Sequence, residues 1–377
     1  MLPKVSKSRG LFIKDLTMQK GLCYYYPTLV IYISPRKEGE AMEVDDSEVL
    51  VCHTPRSEEP RRRDFEEAGY LVLQKLRPEP KEVVLIKPNV IPQGTEDSGM
   101  ITHPWFVAGM VQYFREAGAR EVVVGEGGWE RTHWRKMQWS TENIWRSSGY
   151  REMADATEVR LVDLEEEREI MGIPGGKFTK TLLLSRWVRR EEVFFVDVPK
   201  MKTHNLAVTT LCTKNLMGAV LCPDRHFCFR ARAHSMAKTG SLDLYESSFA
   251  ELLIDLVSVV QPDLCVVEGV VGRDGTAFHR GENLRTWTVV AGHNPVTVDA
   301  YTSYLMGFKP RAISYLREAE ERGLGEIEPG RIRARIQGDP LPSEGMGFQV
   351  ISWDGRNHPE LYLRSPASWK YPEGKFP

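Results

Sequence analysis

The sequence is poor in cysteine and carries almost no net charge. Six cysteines occur in 377 residues, none of them in a CxxC pair, and 50 Lys and Arg side chains stand against 52 Asp and Glu. So few cysteines exclude a disulfide-stapled scaffold, and the balance of charge removes a general attraction to nucleic acid or acidic membranes. We therefore expect a cytoplasmic protein with no membrane partner, for which nucleic acid is a disfavoured partner.

Long hydrophobic runs are also missing. No stretch of 18 consecutive apolar residues occurs, whereas a membrane-spanning helix needs about 20. Residues 22–33 (LCYYYPTLVIYI) follow several lysines and so imitate a signal peptide, but they contain a proline and several tyrosines, with no small-residue cleavage site. We expect residues 1–41 to form a poorly structured N-terminal extension, with the patterned chain beginning at Met42.

The sequence lacks the established nucleotide-binding fingerprints. Gly125-Glu126-Gly127-Gly128 is similar to a phosphate-cradling loop, but the spacings GxGxxG and GxxxxGK[ST] are absent. The loop predicts either a ligand-binding turn or a flexible stretch of backbone. The missing dinucleotide motif disfavours hydride transfer.

What is present is an alternation of short apolar runs with amphipathic stretches. Residues 83–87, 103–118 and 121–128 predict a strand, a helix and a second strand. Further predicted strands lie at 158–164, 192–198, 263–269 and 286–292, and further helices at 243–260, 295–306 and 311–322. The pattern predicts an α/β fold with a largely parallel or mixed sheet covered by helices on both faces, spanning residues 42–330. Residues 165–192 predict a small inserted subdomain, and residues 331–377 a C-terminal appendage.

Polar and glycine-rich loops follow the predicted strands. They are Lys87-Pro88-Asn89, residues 125–128, residues 199–204, residues 268–275 and Gly292-His293-Asn294. Because ligands bind at the carboxyl ends of strands in open α/β sheets, we expect these loops to converge on one site if the sheet is parallel.

The segment between Lys200 and Gly240 is strongly basic. It holds seven Lys and Arg residues against the single acid Asp224, and it also holds His204, His226 and His234. Such a segment suits an anionic ligand, although a solvated charged loop is the alternative. We take Lys200, Lys202, His204 and Lys214 as candidate catalytic residues. The candidate ligand-binding residues are Lys87, Asn89, Gly125, Glu126, Gly127, Asn215, Glu268 and Asp274.

Four residues form a candidate metal set: Cys212, Cys222, His226 and Cys228. Thiolates and imidazole are good ligands for zinc and iron, but this spacing matches none of the common patterns. The alternative is that the cysteines are structural. A divalent metal held by Glu126, Glu268 or Asp274 also remains open.

Several segments together resemble the domain of unknown function 362 family. They are IKPNV (86–90), VVVGEGG (122–128), VDVPKMKTH (196–204), TKNLMGAV (213–220), residues 266–282 and residues 291–307. The resemblance covers roughly residues 48–325 and implies a prokaryotic-type cytoplasmic α/β protein, presumed to be an enzyme. Some relatives carry a ferredoxin-like module with repeated CxxC motifs, which this sequence lacks. The placement of Lys and His on loops is also similar in arrangement to that of nickel-pincer lactate racemases.

The residues favour an enzyme that acts on a small anionic metabolite. The lysines would bind the anion or stabilise developing negative charge, and His204 would donate or accept a proton, as in isomerisation or racemisation. Two other classes stay open: a redox or metal protein that uses Cys212, Cys222 and Cys228, and a nucleic-acid-binding module that uses the basic segment.

Overall fold

The computed structural model describes residues 46–90, 94–127, 141–276, 278–338 and 345–374. The predicted extension at residues 1–41 lies outside these residues, and its boundary stays a prediction. The strands are β1 (Glu48–His53), β2 (Val83–Pro88), β3 (Glu121–Glu126), β4 (Arg160–Asp163), β5 (Arg168–Gly172), β6 (Thr181–Ser185), β7 (Val193–Val198), β8 (Lys200–His204), β9 (Val208–Thr210), β10 (Leu264–Arg273), β11 (Asn283–Gly292) and β12 (Arg333–Gln337). The helices are α1 (Arg62–Leu76), α2 (Pro104–Glu116), α3 (Thr141–Ser147), α4 (Tyr150–Thr157), α5 (Cys212–Asn215), α6 (Phe227–Lys238), α7 (Leu242–Val257), α8 (Pro295–Met306) and α9 (Ser314–Glu321).

One large mixed sheet organises the described residues. Its strand order is β12-β1-β11-β10-β7-β2-β3-β4. The run β10-β7-β2-β3-β4 is parallel throughout, whereas β11 is antiparallel to both of its neighbours. The short hairpin of β8 and β9 extends the sheet, because β8 pairs in parallel with the far half of β10.

The central strands are apolar on both faces, and this explains why helices cover both sides. In β2, Val83 and Leu85 join the hydrophobic cluster that includes α7 and α8, while Val84 and Ile86 join the cluster that includes α1 and α2. Successive side chains of a strand point to opposite faces, so both faces of β2 are buried. The α/β fold predicted from the sequence is confirmed.

The predicted strand, helix and strand at residues 83–128 correspond to β2, α2 and β3. Two residues favour the start of α2 at Pro104. Pro104 occupies its first turn, and the side chain of His103 accepts a hydrogen bond from the backbone N–H of Trp105. Residues 165–192 hold the separate two-stranded sheet of β5 and β6. In the predicted C-terminal appendage, β12 pairs with β1.

Three loop predictions are wrong. Most of the predicted loop at residues 268–275 belongs to β10, which continues to Arg273. Residues 200–204 form β8 rather than a loop, because β10 continues past a bulge between Gly269 and Val271 and supplies a pairing partner. Gly292-His293-Asn294 lies at the amino-terminal ends of the parallel strands, opposite the other loops, because β11 runs antiparallel to β10. His293 accordingly contacts Asp263 at the start of β10, with Nδ1 2.7 Å from the carbonyl oxygen.

Candidate functional site

The parallel strands β7, β2 and β3 end side by side, and each brings a charged side chain to this edge. Lys87 of β2 is in register with Asp197 of β7, and Glu126 is the last residue of β3. All three side chains are buried. The carboxyl ends of these three strands therefore hold a lysine and two carboxyl groups that are shielded from bulk water.

Lys87 and Glu126 form a buried ion pair. Lys87 Nζ lies 3.0 Å from Glu126 Oε1 and 3.2 Å from Oε2. The carboxylate also accepts hydrogen bonds from the backbone N–H groups of Gly127 and Val90. The pair lies against Gly218, where an added Cβ would come within 2.2 Å of Glu126 Oε1. Glycine is thus required in the NLMG turn so that the backbone can approach the ion pair.

Lys200 and Glu268 form a second buried ion pair. They are in register on β8 and β10, and Lys200 Nζ lies 2.5 Å from Glu268 Oε2. The carboxylate also accepts hydrogen bonds from the backbone N–H groups of His103 and Val270. Burial lowers the pKa of Lys200, and the neighbouring Glu268 opposes that shift. Both members of the pair are satisfied as ions.

Lys202 is buried without a carboxylate partner. Its Nζ donates to Asn89 Oδ1 and to the carbonyl oxygen of Met100, each at 2.6 Å. Its partner in register on β10 is Arg273, which is also cationic. Burial lowers the pKa of Lys202 well below its usual value, and repulsion from Lys214 lowers it further. Only neutral oxygens contact this ammonium group in the described part of the chain.

His204 ends β8 as a neutral imidazole. Its Nδ1 accepts hydrogen bonds from the backbone N–H groups of Leu206 and Ala207, both at 3.1 Å. A nitrogen that accepts two N–H groups carries no proton, so Nε2 carries the hydrogen. Burial lowers the pKa of His204 well below its usual value, and Lys214 and Lys202 lower it further. The ring therefore offers an N–H donor at Nε2.

Lys214 lies on the short helix α5 and is only partly exposed. Asp299 fixes the start of this helix by accepting from the backbone N–H groups of Cys212 and Thr213 at 2.7 and 2.9 Å. Asn215 fixes its end, because Nδ2 donates to Asp197 Oδ1 at 2.9 Å and Oδ1 lies 3.4 Å from Lys87 Nζ. The Lys214 ammonium has no hydrogen-bond or ion-pair acceptor among the described residues. Burial lowers its pKa.

The structure brings most of the predicted residues together. Contacts link Lys87, Glu126 and Asn215, a second set links Lys200 and Glu268, and a third links Lys202 and Asn89. Lys214 is close enough to Lys202 and His204 for its charge to lower their pKa values. We call Lys87, Lys200, Lys202, His204 and Lys214 the lysine cluster.

Of the predicted ligand-binding residues, Gly125 and Asp274 make their contacts elsewhere, whereas Gly127 donates its backbone N–H to Glu126. Gly125 lies where an added Cβ would meet the side chains of Leu85, Val162 and Leu164, so it serves packing between strands. Gly127 lies against the guanidinium of Arg225. Asp274 accepts from Lys370 Nζ at 2.9 Å and from the hydroxyl of Tyr371, and thereby holds the C-terminal segment.

The candidate metal residues do not assemble into a ligand set in the ranges that the structure describes. No group of three or more His, Cys, Asp or Glu residues there has an arrangement that would hold a metal ion. Cys212 is buried and contacts Cys265, and burial is the main cause that raises the pKa of both thiols. His226 packs its ring edge-on against Phe229.

Asp197 is a buried carboxyl group that the motif analysis missed. Its Oδ2 has no hydrogen-bond partner among the described residues, and burial raises its pKa well above the usual value. The signal was a lone acid in the otherwise apolar strand VFFVDV. Asp299 of α8 is a second buried acid outside the candidate set, and it anchors α5.

Comparison with known proteins gives a family match and a relative of known sequence. A family model described as a domain of unknown function, DUF362, matches residues 84–304. A thylakoid-associated protein of Synechocystis sp. is 22% identical over 251 residues, which cover 65% of this chain and 69% of the relative. No helix in the described ranges is long and apolar enough to cross a membrane.

Two solved structures show a partial likeness. A protein from Thermotoga maritima matches with a TM-score of 0.41 and 10% identity, over 66% of this chain and 60% of that one. The lactate racemase apoprotein from Thermoanaerobacterium thermosaccharolyticum matches with a TM-score of 0.38 and 16% identity, over 67% of this chain and 56% of that one. This chain therefore spans less than two thirds of either structure. The family match covers more than half of the sequence and includes the lysine cluster, so the chain belongs to the DUF362 family.

Proposed function

We propose that this protein is an enzyme that binds a small anionic metabolite, a carboxylate or a phosphate ester, between Lys202, Lys214 and His204. The observation that carries the proposal is the charge imbalance of the lysine cluster. Lys87 and Lys200 each have a carboxylate partner, whereas Lys202 has neutral acceptors and Lys214 has no acceptor among the described residues. Removing an ammonium group from water without a counter-ion is costly, so an anionic ligand would stabilise both groups.

The same residues support proton transfer on the bound anion. Burial lowers the pKa of Lys214, which raises the fraction of free amine able to accept a proton near neutral pH. His204 offers the Nε2 hydrogen as a donor. A bound carboxylate would favour the ammonium form of Lys202, whose pKa burial lowers in its absence. That ammonium would then stabilise negative charge that develops when a proton leaves carbon beside the carboxylate. Isomerisation or racemisation is the reaction class that this set of groups favours.

Neither alternative class gains a supporting contact. Cys212, Cys222, His226 and Cys228 are not gathered into a metal-ligand group within the described ranges. The nucleic-acid alternative relied on the basic segment, but Lys200 and Lys202 are buried in it and Arg225 is paired with Glu165 at 3.1 Å. A cytoplasmic location remains part of the proposal. It rests on the five cysteines of the described residues, which form no disulfide with one another.

Isothermal titration with inorganic phosphate and with lactate tests the anion site. We compare the unaltered protein with Lys214→Met, which keeps most of the apolar stem but removes the charge. Lys238→Met is the matched control, because Lys238 belongs to the same basic segment but is exposed on α6. Loss of one charged hydrogen bond predicts binding weaker by about 10-fold to 100-fold in Lys214→Met. Equal affinity in both variants, or no binding by the unaltered protein, would overturn the proposal.

A further inference from the structure

We infer that Lys214 is a nucleophile that forms an imine with the carbonyl carbon of a small 2-oxo acid, whose carboxylate is held by Lys202. The inference rests on the proposed anion site and narrows its substrate class from anions in general to anions that carry a carbonyl group. It adds a covalent step to the site, which proton transfer alone does not require.

The first support is the distribution of partners within the lysine cluster. A nucleophilic amine needs a free lone pair, and the nitrogens of Lys87 and Lys200 are already engaged in ion pairs with Glu126 and Glu268. Lys202 directs its hydrogens at Asn89 Oδ1 and the Met100 carbonyl oxygen. Of the four lysines, Lys214 is the one with no acceptor within the described ranges. It is therefore the lysine that is free to react.

The second support is the rigidity of the backbone that carries Lys214. Asp299 binds the two N–H groups at the start of α5, and Asn215 is tied to Asp197 and Lys87 at its end. Lys214 lies between these two anchors. A side chain on a backbone held on both sides is presented in a reproducible position, which is a requirement for attack on a bound carbon.

The third support is the electrostatic environment of the amine. Burial lowers the pKa of Lys214, and the Lys87 ammonium lowers it further, although Cys228 opposes the shift. Desolvation and a neighbouring cation are the two devices that turn a lysine into a nucleophile near neutral pH. A carboxylate next to the reacting carbonyl would be attracted to Lys202, whose ammonium is close enough to feel the charge of Lys214.

The covalent step balances without an oxidant or a reductant. The Lys214 nitrogen lone pair forms a bond to the carbonyl carbon, and the π electrons of the carbonyl move to its oxygen. The two amine hydrogens then leave with that oxygen as water, and a carbon–nitrogen double bond remains. The neutral His204 ring provides an Nε2 hydrogen that stabilises the oxygen as it departs.

Reductive trapping tests the inference on the full chain. The protein is incubated with pyruvate and then with sodium borohydride, which reduces an imine to a stable secondary amine, and the modified peptides are identified by mass spectrometry. We expect modification at Lys214 to exceed that at the exposed Lys238, because burial lowers the pKa of Lys214 and so raises its free-amine fraction near neutral pH. Inorganic phosphate, which competes for the anion site, should suppress modification at Lys214 and leave Lys238 unaffected.

The variant Lys214→Arg keeps the positive charge but cannot form the imine, so its adduct should be lost, whereas Lys238→Arg should retain the adduct at Lys214. The phosphate competition uses the unaltered protein, so the test does not depend on the folding of a variant. Modification spread evenly over surface lysines, or no adduct at Lys214, would overturn the inference. If phosphate still binds in that case, the anion site stands and only the covalent step fails. If phosphate binding also fails, both fall together.

Discussion

The lysine cluster has two halves that differ in one respect. Lys87 and Lys200 are buried and each contacts a carboxylate, whereas Lys202 and Lys214 contact none in the described part of the chain. Strand register explains part of the difference. On β10, Glu268 lies opposite Lys200 and Arg273 lies opposite Lys202. The fold thus neutralises two lysines internally and leaves two for a charge supplied from outside.

We expect the largest effect on stability when a lysine is removed from the paired half of the cluster. The variant Lys200→Met leaves Glu268 buried without its cation, and loss of one partner of a buried pair costs about 3–5 kcal/mol. Urea unfolding measures the change. The double variant Lys200→Met with Glu268→Gln removes both charges and should recover most of the lost free energy of unfolding. A single variant as stable as the unaltered protein would show that the pair does not hold this edge of the sheet.

The second prediction concerns the anchor of the unpaired half. Burial raises the pKa of Asp299 from 3.8 to about 6. The Asp299 carboxyl group then binds its proton more tightly in the folded state than in the unfolded state. The stability that this proton contributes is fully present below pH 3.8 and is lost as the pH rises through about 6. At about 1.36 kcal/mol per pKa unit, the loss amounts to about 3 kcal/mol.

The variant Asp299→Asn does not titrate, so it isolates this effect. The difference in free energy of unfolding between the unaltered protein and Asp299→Asn should shift by about 2 kcal/mol in favour of the variant between about pH 4 and about pH 7. Urea unfolding at several pH values provides the data. A difference that stays constant over this range would show that Asp299 has the same pKa in both states.

The third and smallest expected effect on stability is that of Lys214→Met. The substitution removes the partly buried Lys214 ammonium group, which repels Lys202 and His204 and has no acceptor among the described residues. We expect the free energy of unfolding to be unchanged or to rise by about 1 kcal/mol. A loss comparable to that of Lys200→Met, measured by the same urea titration, would show that Lys214 also has a structural partner.

The sequence predicts the scaffold well where the signal is local. Continuous apolar runs indicated β2, β3 and β7, and the helix predicted at residues 295–306 matches α8. Such runs are informative because a strand of a parallel sheet is buried on both faces. The convergence of Lys87, Glu126 and Asn89 at the strand ends also followed from the chain order, since parallel strands bring their carboxyl ends together.

What the sequence does not predict depends on contacts between distant residues. KMKTH consists mostly of polar side chains, and it forms a strand because it pairs with the far half of β10 and with β9. The direction of β11 likewise depends on its neighbours and not on its own residues. Which lysine meets which carboxylate follows from strand register, so the division of the lysine cluster was not visible in composition or spacing.

Competitive labelling with acetic anhydride, followed by mass spectrometry across a pH series, tests the central claim most directly. We expect Lys214 to be acetylated with an apparent pKa below 10.5, because burial disfavours its ammonium form. We also expect saturating phosphate to suppress labelling of Lys214 and to leave labelling of the exposed Lys238 unchanged. If Lys214 shows no lowered apparent pKa and phosphate leaves its labelling unaltered, then the unpaired half of the cluster is not an anion site.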